Sequence, residues 1–310
     1  MSTMYDTVKM YYDFLDNPKA PTESVLFKNC KNVENRDSEQ KHYVRGDLKN
    51  MTVFLNEGSI SVQGSLCKYF YGNNCDTLSQ SNTREALNQI SADLSVDIHK
   101  SRVTRIDFST NIITDYTPTI YYPYLGQLSK FRRLVNPDSI YYNQKAKKLL
   151  FYDKIKEAKS KKMDIPVEYI GENLLRYELV LKKDVPRFLD YKVISGKDLY
   201  SEELYRKLLH LWYSYYQSIQ KHSKQYKLMA DNIKTPKDVE SVLFKAMVRK
   251  NPIEVKRLTD EIKAMGLFEH KEYYSRLNSK IRNIHKTQVV ENPLIDELSS
   301  KIEGIYIDLI

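Results

Sequence analysis

The chain of 310 residues lacks long apolar runs and has few cysteines. No stretch reaches the roughly 18 apolar residues that a membrane-spanning helix needs, and residues 1–15 do not have the pattern of a signal peptide. The three cysteines, Cys30, Cys67 and Cys75, cannot all pair with one another and show no metal-ligand spacing. These absences predict a cytoplasmic protein in a reducing compartment, with no membrane partner.

Histidine is also scarce, and its distribution excludes one kind of metal site. The six histidines include no two that are separated by a single residue, so a His-x-His metal-binding pair is missing. Any metal site must therefore rest on carboxylates, which select hard cations such as Mg²⁺ or Mn²⁺.

Positive charge is in excess, with a formal net charge of +9 and a pI of about 9.1. Residues 145–162 contain eight lysines against two acids, Asp153 and Glu157. By itself this run fits a solvated basic face as well as a polyanion-binding surface. The 25 tyrosines and 10 phenylalanines offer stacking surface for single-stranded DNA, although most of them must belong to the core.

The pattern of apolar residues changes near Gly196. Before it, alternation predicts a hairpin over 51–63, a strand over 103–113, a second hairpin over 139–153 and a strand over 174–182, with one helix over 84–98. After it, a period of 3.6 predicts helices over 199–226, 236–248, 252–265 and 268–285. We therefore expect an α+β domain with an antiparallel sheet at 1–195 and an all-helical domain at 196–310.

Three of the predicted strands carry polar side chains on one face. Residues two apart in a strand share a face, so Arg105 lies beside Asp107, and Arg176 lies beside Glu178. Tyr152 and Lys154 are likewise paired, with Glu157 just after. Apolar residues point the other way on the first and last of these strands: Ile106, Phe108, Leu179 and Leu181.

Such a face could support metal-assisted attack on a phosphodiester. Tyrosine has a pKa of about 10, so only about one phenol in a thousand is ionised at pH 7, and a nearby Lys154 or a bound cation would have to favour the phenolate. Asp107 and Glu178 are the candidate metal ligands, and Glu157 could complete the coordination or act as a general base. The alternative is ordinary solvated carboxylates, with Asp107 and Arg105 forming a surface pair worth under about 1 kcal/mol.

Four segments in order carry a resemblance to a known family. They are 61–74, a strand and glycine segment before a helix; 104–107, with an Arg-Ile-Asp sequence; 151–157, with Tyr-x-Lys-x-x-Glu; and 175–178, with Arg-Tyr-Glu. Together they resemble the replication-initiation proteins of filamentous phages, of the gene II/X type, and related rolling-circle initiators of plasmids.

The resemblance implies a metal-dependent endonuclease and strand transferase that nicks one DNA strand at an origin. Tyr152 would become linked to the 5′-phosphate and leave a 3′-OH primer, with Lys154 stabilising charge. Asp107 and Glu178, with Glu157, would hold the divalent ion. A host helicase is a candidate partner beside the DNA. The residues expected to contact DNA are Arg105, Arg176, Lys68, Lys147, Lys148 and Lys156.

Other interpretations remain open from the sequence. A mobilisation relaxase would use the same chemistry in conjugative transfer. A non-enzymatic DNA-binding protein would keep all activity in Tyr152→Phe, and a basic structural protein would show no salt-dependent DNA affinity. If Tyr152 is not the nucleophile, Tyr141 or Tyr142 on the paired strand is the next candidate.

Overall fold

The structure, a computed structural model, describes residues 2–3, 5–15, 23–38, 41–73, 78–222, 224–226, 234–286 and 289–310. Cys75 and the end of the glycine segment at 61–74 lie outside these residues. The strands are β1 Ser2–Thr3, β2 Tyr5–Asp13, β3 Lys31–Ser38, β4 Lys41–Leu48, β5 Met51–Leu55, β6 Ser59–Ser65, β7 Leu78–Ser79, β8 Arg102–Thr114, β9 Arg132–Asn136, β10 Ser139–Asn143, β11 Lys147–Asp153, β12 Asn173–Leu181, β13 Lys224–Tyr226 and β14 Val289–Glu291. The helices are α1 Glu23–Asn29, α2 Leu66–Tyr71, α3 Gln80–Leu94, α4 Lys154–Ser160, α5 Val185–Phe188, α6 Glu202–Ser218, α7 Pro236–Lys250, α8 Pro252–Ala264, α9 Lys271–Lys286 and α10 Pro293–Leu309.

A sheet of ten strands organises the first part of the chain. Its order is β3-β4-β5-β6-β2-β8-β12-β11-β10-β9, and every neighbouring pair is antiparallel. The predicted fold class, an antiparallel sheet with helices followed by a helical region, is confirmed. Strand β2 lies inside the sheet between β6 and β8.

Both predicted hairpins are present. The first turns between β5 and β6, where the Asn56 side chain accepts hydrogen bonds from the backbone N–H groups of Gly58 and Ser59 at 2.9 and 2.7 Å. An asparagine that satisfies its own turn in this way fixes the register of the two strands. The second hairpin pairs β10 with β11 and turns at residues 144–146.

The predicted helix over 84–98 is shifted in the structure. It begins at Gln80, because the Ser79 hydroxyl caps it by accepting a hydrogen bond from the N–H of Asn82 at 3.0 Å. It ends at Leu94, because Ser95 adopts a left-handed conformation with φ 54°. The apolar residue Ile98, which suggested a longer helix, lies in a separate 3₁₀ turn.

One face of the sheet is apolar, and α6 packs on it. Phe151 and Tyr177, on neighbouring strands, stack with their ring centroids 4.3 Å apart and their planes 2° apart. Trp212 of α6 contacts Tyr177 at 4.8 Å between centroids, and all three rings are fully buried. Burial of aromatic surface on this scale makes α6 an integral layer of the sheet's core.

Contacts divide the chain into two units. The first comprises residues 1–221 and 297–310, and the second comprises residues 222–296. This division differs from the predicted boundary at 195, because α6 and residues 297–310 fall in the same unit as the sheet. No element was predicted at α10, and the first C-terminal helix, predicted to reach residue 226, ends at Ser218 as α6.

The second unit contains α7, α8 and α9 together with the short pair β13–β14. Val248, Val255 and Ile284 form its buried cluster, against which Phe244 and Ile281 pack. The predicted helices at 236–248, 252–265 and 268–285 are present within a few residues. Across the described residues, no helix combines the length and apolarity that crossing a membrane would require.

Candidate active site

The strand register brings the three polar segments onto one face of the sheet, which we call the polar face. Tyr152 on β11 lies opposite Arg176 on β12, and Glu178 lies opposite Leu150. Asp107 on β8 lies opposite Val180, two positions beyond Glu178 on β12. Because alternate residues of a strand share a face, Asp107, Tyr152, Arg176 and Glu178 all face the same side.

A further polar side chain, the carboxyl group of Asp6, joins them from β2 and was not predicted from the sequence. Tyr5 pairs with Phe108 and Val8 pairs with Ile106, so Asp6 and Thr7 together oppose the single residue Asp107. This is a β-bulge, a feature that redirects a side chain locally. Alternation alone would place Asp6 on the same face as the buried residues Val8, Met10 and Tyr12, so only the bulge brings its side chain to the polar face.

Arg176 is the cation at the centre of the polar face, and it is buried. Its Nη2 donates to Asp6 Oδ2 at 2.9 Å and to the Ser109 hydroxyl at 2.6 Å, and its Nη1 donates to Asn111 Oδ1 at 3.3 Å. Burial opposes the charged form, but Asp6, Tyr152 and Glu178 outweigh it and raise the Arg176 pKa. Arg176 therefore holds neighbouring polar groups in place.

A cleft of about 630 Å³ opens on this face. It includes Tyr152 together with Asp6, Glu157 and Glu178, whereas Asp107 does not line it. The other lining residues are Thr7, Ser65, Asp138, Ser139, Tyr141, Leu150, Asp153, Lys156, Ser160 and Lys161. A concave site with convergent acids and a tyrosine is the arrangement expected of an active site.

Glu178 has the most perturbed carboxyl group of the cleft. Burial, followed by repulsion from Asp6 and Asp107, raises its pKa to about 8, against the opposing effects of Arg176 and Lys148. Among the described residues, none donates a hydrogen bond to this carboxylate. A buried acid that lacks donors and is crowded by other acids is a site where a cation would bind favourably.

Asp107 is buried and tightly held by Arg105. The guanidinium donates from Nε to Oδ1 at 2.8 Å and from Nη2 to Oδ2 at 2.7 Å. Burial raises the Asp107 pKa, and the hydrogen bonds from Arg105 only partly offset it. This pair is therefore not the exposed surface pair that the sequence allowed, and each carboxylate oxygen retains a second acceptor position.

The Tyr152 phenol is half-buried, and burial raises its pKa. Arg176 is the strongest opposing charge, whereas Glu178, Glu157 and Asp6 add to the increase. A phenolate at Tyr152 would therefore need stabilisation by a nearby cation. Arg176 lies directly across from Tyr152 on the neighbouring strand.

Lys154 lies elsewhere than predicted from the strand pattern. Strand β11 ends at Asp153, whose side chain caps α4, so Lys154 begins the helix and does not continue the strand. Its ammonium is fully buried and donates to Glu157 Oε2 at 2.8 Å. Lys161 donates to Glu157 Oε1 at 2.6 Å, and although burial opposes ionisation, these two hydrogen bonds lower the Glu157 pKa.

The two alternative tyrosines lie on opposite faces. Tyr141 lines the cleft, and Lys148 lies 4.7 Å from its ring centroid. Tyr142 is fully buried on the apolar face, where its hydroxyl donates to the carbonyls of Leu125 and Gly126. Tyr141 therefore remains an alternative nucleophile, whereas Tyr142 cannot reach the cleft.

The residues predicted to contact DNA do not form one surface. Arg105, Lys148 and Arg176 share the polar face, and Lys156 is exposed at the rim of the cleft, paired with Asp138. Lys147 points to the opposite face, where its ammonium contacts Tyr215 and lies 4.2 Å from the ring centroid of Phe188. Lys68 is on α2, and it does not line the cleft.

The donor set fits a hard divalent cation bound with few protein ligands. The buried Asp6 Oδ1 has no hydrogen-bond partner within the described residues, and Glu178 lines the same cleft. In the described part of the chain, no three His, Cys, Asp or Glu residues are grouped to hold a metal by themselves. Mg²⁺ commonly uses one or two carboxylates and takes its remaining ligands from water and substrate phosphate, which suits this arrangement.

Comparison with known protein families gives one match. The family model described as the N-terminal part of the gene II replication-associated protein matches residues 4–203, about two thirds of the chain. A search of curated proteins found no match. The matched residues include Asp6 and all three polar segments. The chain therefore belongs to the gene II-type replication-associated proteins of filamentous phages, and this membership supports a role as a rolling-circle replication initiator that acts on DNA.

Proposed function

We propose that the protein initiates rolling-circle replication by nicking one strand at its origin, with Tyr152 as the nucleophile. The observation that carries the proposal is the common cleft on the polar face, where Tyr152 meets Asp6, Glu157 and Glu178. Arg176, opposite the tyrosine, supplies the positive charge that favours a phenolate. Because a nick alone does not separate the strands, a host helicase is part of the proposal.

The proposed reaction is a transesterification at phosphorus. The Tyr152 oxygen attacks the scissile phosphate and forms a phosphotyrosine bond to the 5′ side, while the bond from phosphorus to the 3′ oxygen breaks. The phenolic proton passes to a carboxylate of the cleft, for which Glu157 is the candidate base, and the departing 3′ oxygen becomes a hydroxyl by taking a proton from that carboxylic acid or from water. The phosphotyrosine link retains the energy of the broken phosphodiester bond, so a later strand transfer needs no nucleotide hydrolysis.

Glu178 and Asp6 would hold the divalent ion, with Asp107 as a further ligand through the acceptor positions that Arg105 leaves open. A bound Mg²⁺ or Mn²⁺ supplies Lewis-acid polarisation of the phosphate. Glu157 fits this role less well, because both of its oxygens accept hydrogen bonds from lysine ammonium groups. The pair of Arg105 and Asp107 would fix the position of the Asp107 carboxylate.

The test uses supercoiled plasmid that carries the protein's own origin, incubated with Mn²⁺ or Mg²⁺ and then with EDTA. We expect open circles and a protease-sensitive covalent adduct with the wild-type protein, and a loss of at least about 10³-fold in nicking for Tyr152→Phe. Tyr141→Phe is the matched control, since it removes a hydroxyl from the same cleft on the neighbouring strand.

The outcomes separate the assignments. If Tyr152→Phe nicks as well as the wild-type protein while Tyr141→Phe does not, Tyr141 is the nucleophile and the function stands. If neither variant loses activity and EDTA has no effect, the tyrosine mechanism with a divalent ion is wrong. If the protein binds the origin DNA but never nicks it, a non-enzymatic DNA-binding protein is favoured.

A further inference from the structure

A second cleft, of about 600 Å³, lies at the far end of the polar face. Its basic and aromatic lining residues are Lys9, Tyr11, Arg102, Lys182, Lys183 and Lys192. Lys9 pairs with Arg105 across β2 and β8, so it shares the face of Asp107. Lys182 follows Arg176 by six positions, which at about 3.3 Å per residue places it about 20 Å from the row that contains Tyr152.

The charges of this basic cleft are largely uncompensated. Asp184 is the acidic residue in its lining, and Arg102 lies 3.7 Å from Asp13. Among the described residues, no ion pair involves the ammonium groups of Lys9, Lys182, Lys183 and Lys192. Burial, followed by the nearby charges of Lys148 and Arg105, lowers the pKa of Lys182. Cations that repel one another without acidic partners are stabilised when a polyanion binds.

The cleft also contains a stacking surface. The Arg102 guanidinium carbon lies 5.2 Å from the Tyr11 ring centroid, and both side chains are accessible to solvent. A second β-bulge occurs here, because Lys9 pairs with Arg105 while Met10 pairs with Val103, which leaves Thr104 as the extra residue. Both clefts of the polar face therefore lie beside irregularities in the β2–β8 pairing.

We propose that this basic cleft binds the sugar-phosphate backbone of single-stranded DNA that flanks the scissile phosphate. This inference rests on the proposed nicking function, because it assumes that the bound strand continues from Tyr152 along the polar face. The strand would then run from the nucleophile to the lysines of the basic cleft. At the 3.4 Å spacing of a B-form strand, 20 Å corresponds to about six nucleotides, and fewer if the strand is extended. Tyr11 and Arg102 provide the base-stacking contact that distinguishes single strands from duplex.

The test measures binding separately from chemistry. All variants are made in the Tyr152→Phe background and titrated in EDTA with a fluorescein-labelled 20-nucleotide single strand and with its duplex. We expect the triple variant Lys182→Gln, Lys183→Gln and Lys192→Gln to lose at least about tenfold in affinity for the single strand. The slope of log K against log salt should fall by about 2, at about 0.7 for each lost phosphate contact.

The matched control removes the same charge elsewhere on the first unit. Lys28, Lys31 and Lys197 are exposed and line neither cleft. Their triple glutamine variant should bind the single strand within about twofold of the background protein. Equal losses in the two triple variants, or a loss confined to the duplex, would overturn the proposed single-strand site.

Tyr11→Leu tests the stacking contribution, and we expect a further loss of about fivefold or more for the single strand only. The two proposals fail independently. If the origin plasmid is never nicked but the lysine variant still loses affinity, the basic cleft stands and the nicking function falls. If nicking occurs and the lysine variant binds the single strand as tightly as the background protein, the cleft assignment is wrong.

Discussion

Three carboxyl groups lie in the buried part of the polar face, those of Glu178, Asp6 and Asp107. Arg176 and Arg105 offset part of that negative charge, but Glu178 is left with a pKa raised to about 8. In the unfolded chain the same group would titrate near 4.5. The folded protein therefore takes up a proton that the unfolded chain releases, across most of the neutral range.

The stability of the folded protein should consequently depend on pH. Between about pH 4.5 and pH 8 the folded state binds more protons than the unfolded state, so the free energy of unfolding falls as the pH rises through this window. In Glu178→Gln, the fall in the free energy of unfolding across this window should be smaller by on the order of 1–3 kcal/mol. The variant should therefore be more stable than the wild-type protein at pH 8. Urea unfolding in EDTA at pH 5, 6, 7 and 8 measures this difference.

A divalent ion provides the internal control for this prediction. If Glu178 holds Mn²⁺, adding the ion should raise the melting temperature of the wild-type protein more at pH 8 than at pH 6, because binding requires the carboxylate form. Glu178→Gln should lose most of this stabilisation. A parallel pH dependence in the wild-type protein and in Glu178→Gln would show that another group dominates the titration.

Among the elements, α6 couples the sheet to the C-terminal part of the chain. Its buried stripe includes Leu204, Leu208 and Trp212, and these pack on the apolar face behind the cleft. Leu208→Ala should reduce the free energy of unfolding by about 2–5 kcal/mol. The half-buried Leu211, one turn along the same helix, is the control, and Leu211→Ala should cost less than half as much.

Chemical denaturation followed by the fluorescence of Trp212 reports both variants, because the single tryptophan lies in this contact. The same substitution tests which unit α6 belongs to. If α6 were part of an independent helical domain, Leu208→Ala would leave the unfolding of the sheet unchanged, and nicking would survive conditions in which the helices had melted.

The elements show which features a sequence can predict. Alternation identified β5, β6, β8, β10, β11 and β12, and with them the shared face of Asp107, Tyr152 and Glu178. It could not identify Asp6 as a partner, because that placement depends on a β-bulge formed with a strand about 100 residues away. Lys154 was misplaced for a local reason, since the Asp153 cap turns the chain into a helix one residue earlier than the alternation suggested.

At the scale of the whole molecule, the second unit is an insertion whose two ends lie close together. Strand β13 pairs with β14, so Lys224 lies opposite Glu291, and the Asn292 side chain donates to the His222 carbonyl at 3.3 Å. Chain segments that leave and return at neighbouring points can often be removed without unfolding the parent domain. The predicted boundary at 195 would instead cut the sheet away from α6 and α10.

Two deletions distinguish these divisions. Replacing residues 222–296 with a short Gly/Ser linker should leave a folded, monodisperse protein whose melting temperature is within a few degrees of the full chain. Truncation after residue 195 exposes the apolar face that α6 covers and should give aggregated or unfolded protein. Circular dichroism and size-exclusion chromatography decide between them, and a folded, stable 1–195 fragment would contradict the division by contacts.

The central position of β2 also affects how the molecule acquires its fold. Strand β2 meets β8 across a long loop, since the Thr104 hydroxyl donates to the Lys9 carbonyl 95 positions away. Closing a loop of that length is slow, and proteins rich in such contacts are slow folders. The apolar side chains of β2, those of Val8, Met10 and Tyr12, therefore cannot pack beside β8 until roughly a hundred further residues have been synthesised. During this interval the nascent chain is most exposed to aggregation, so synthesis rate and chaperone supply should limit the yield of active initiator.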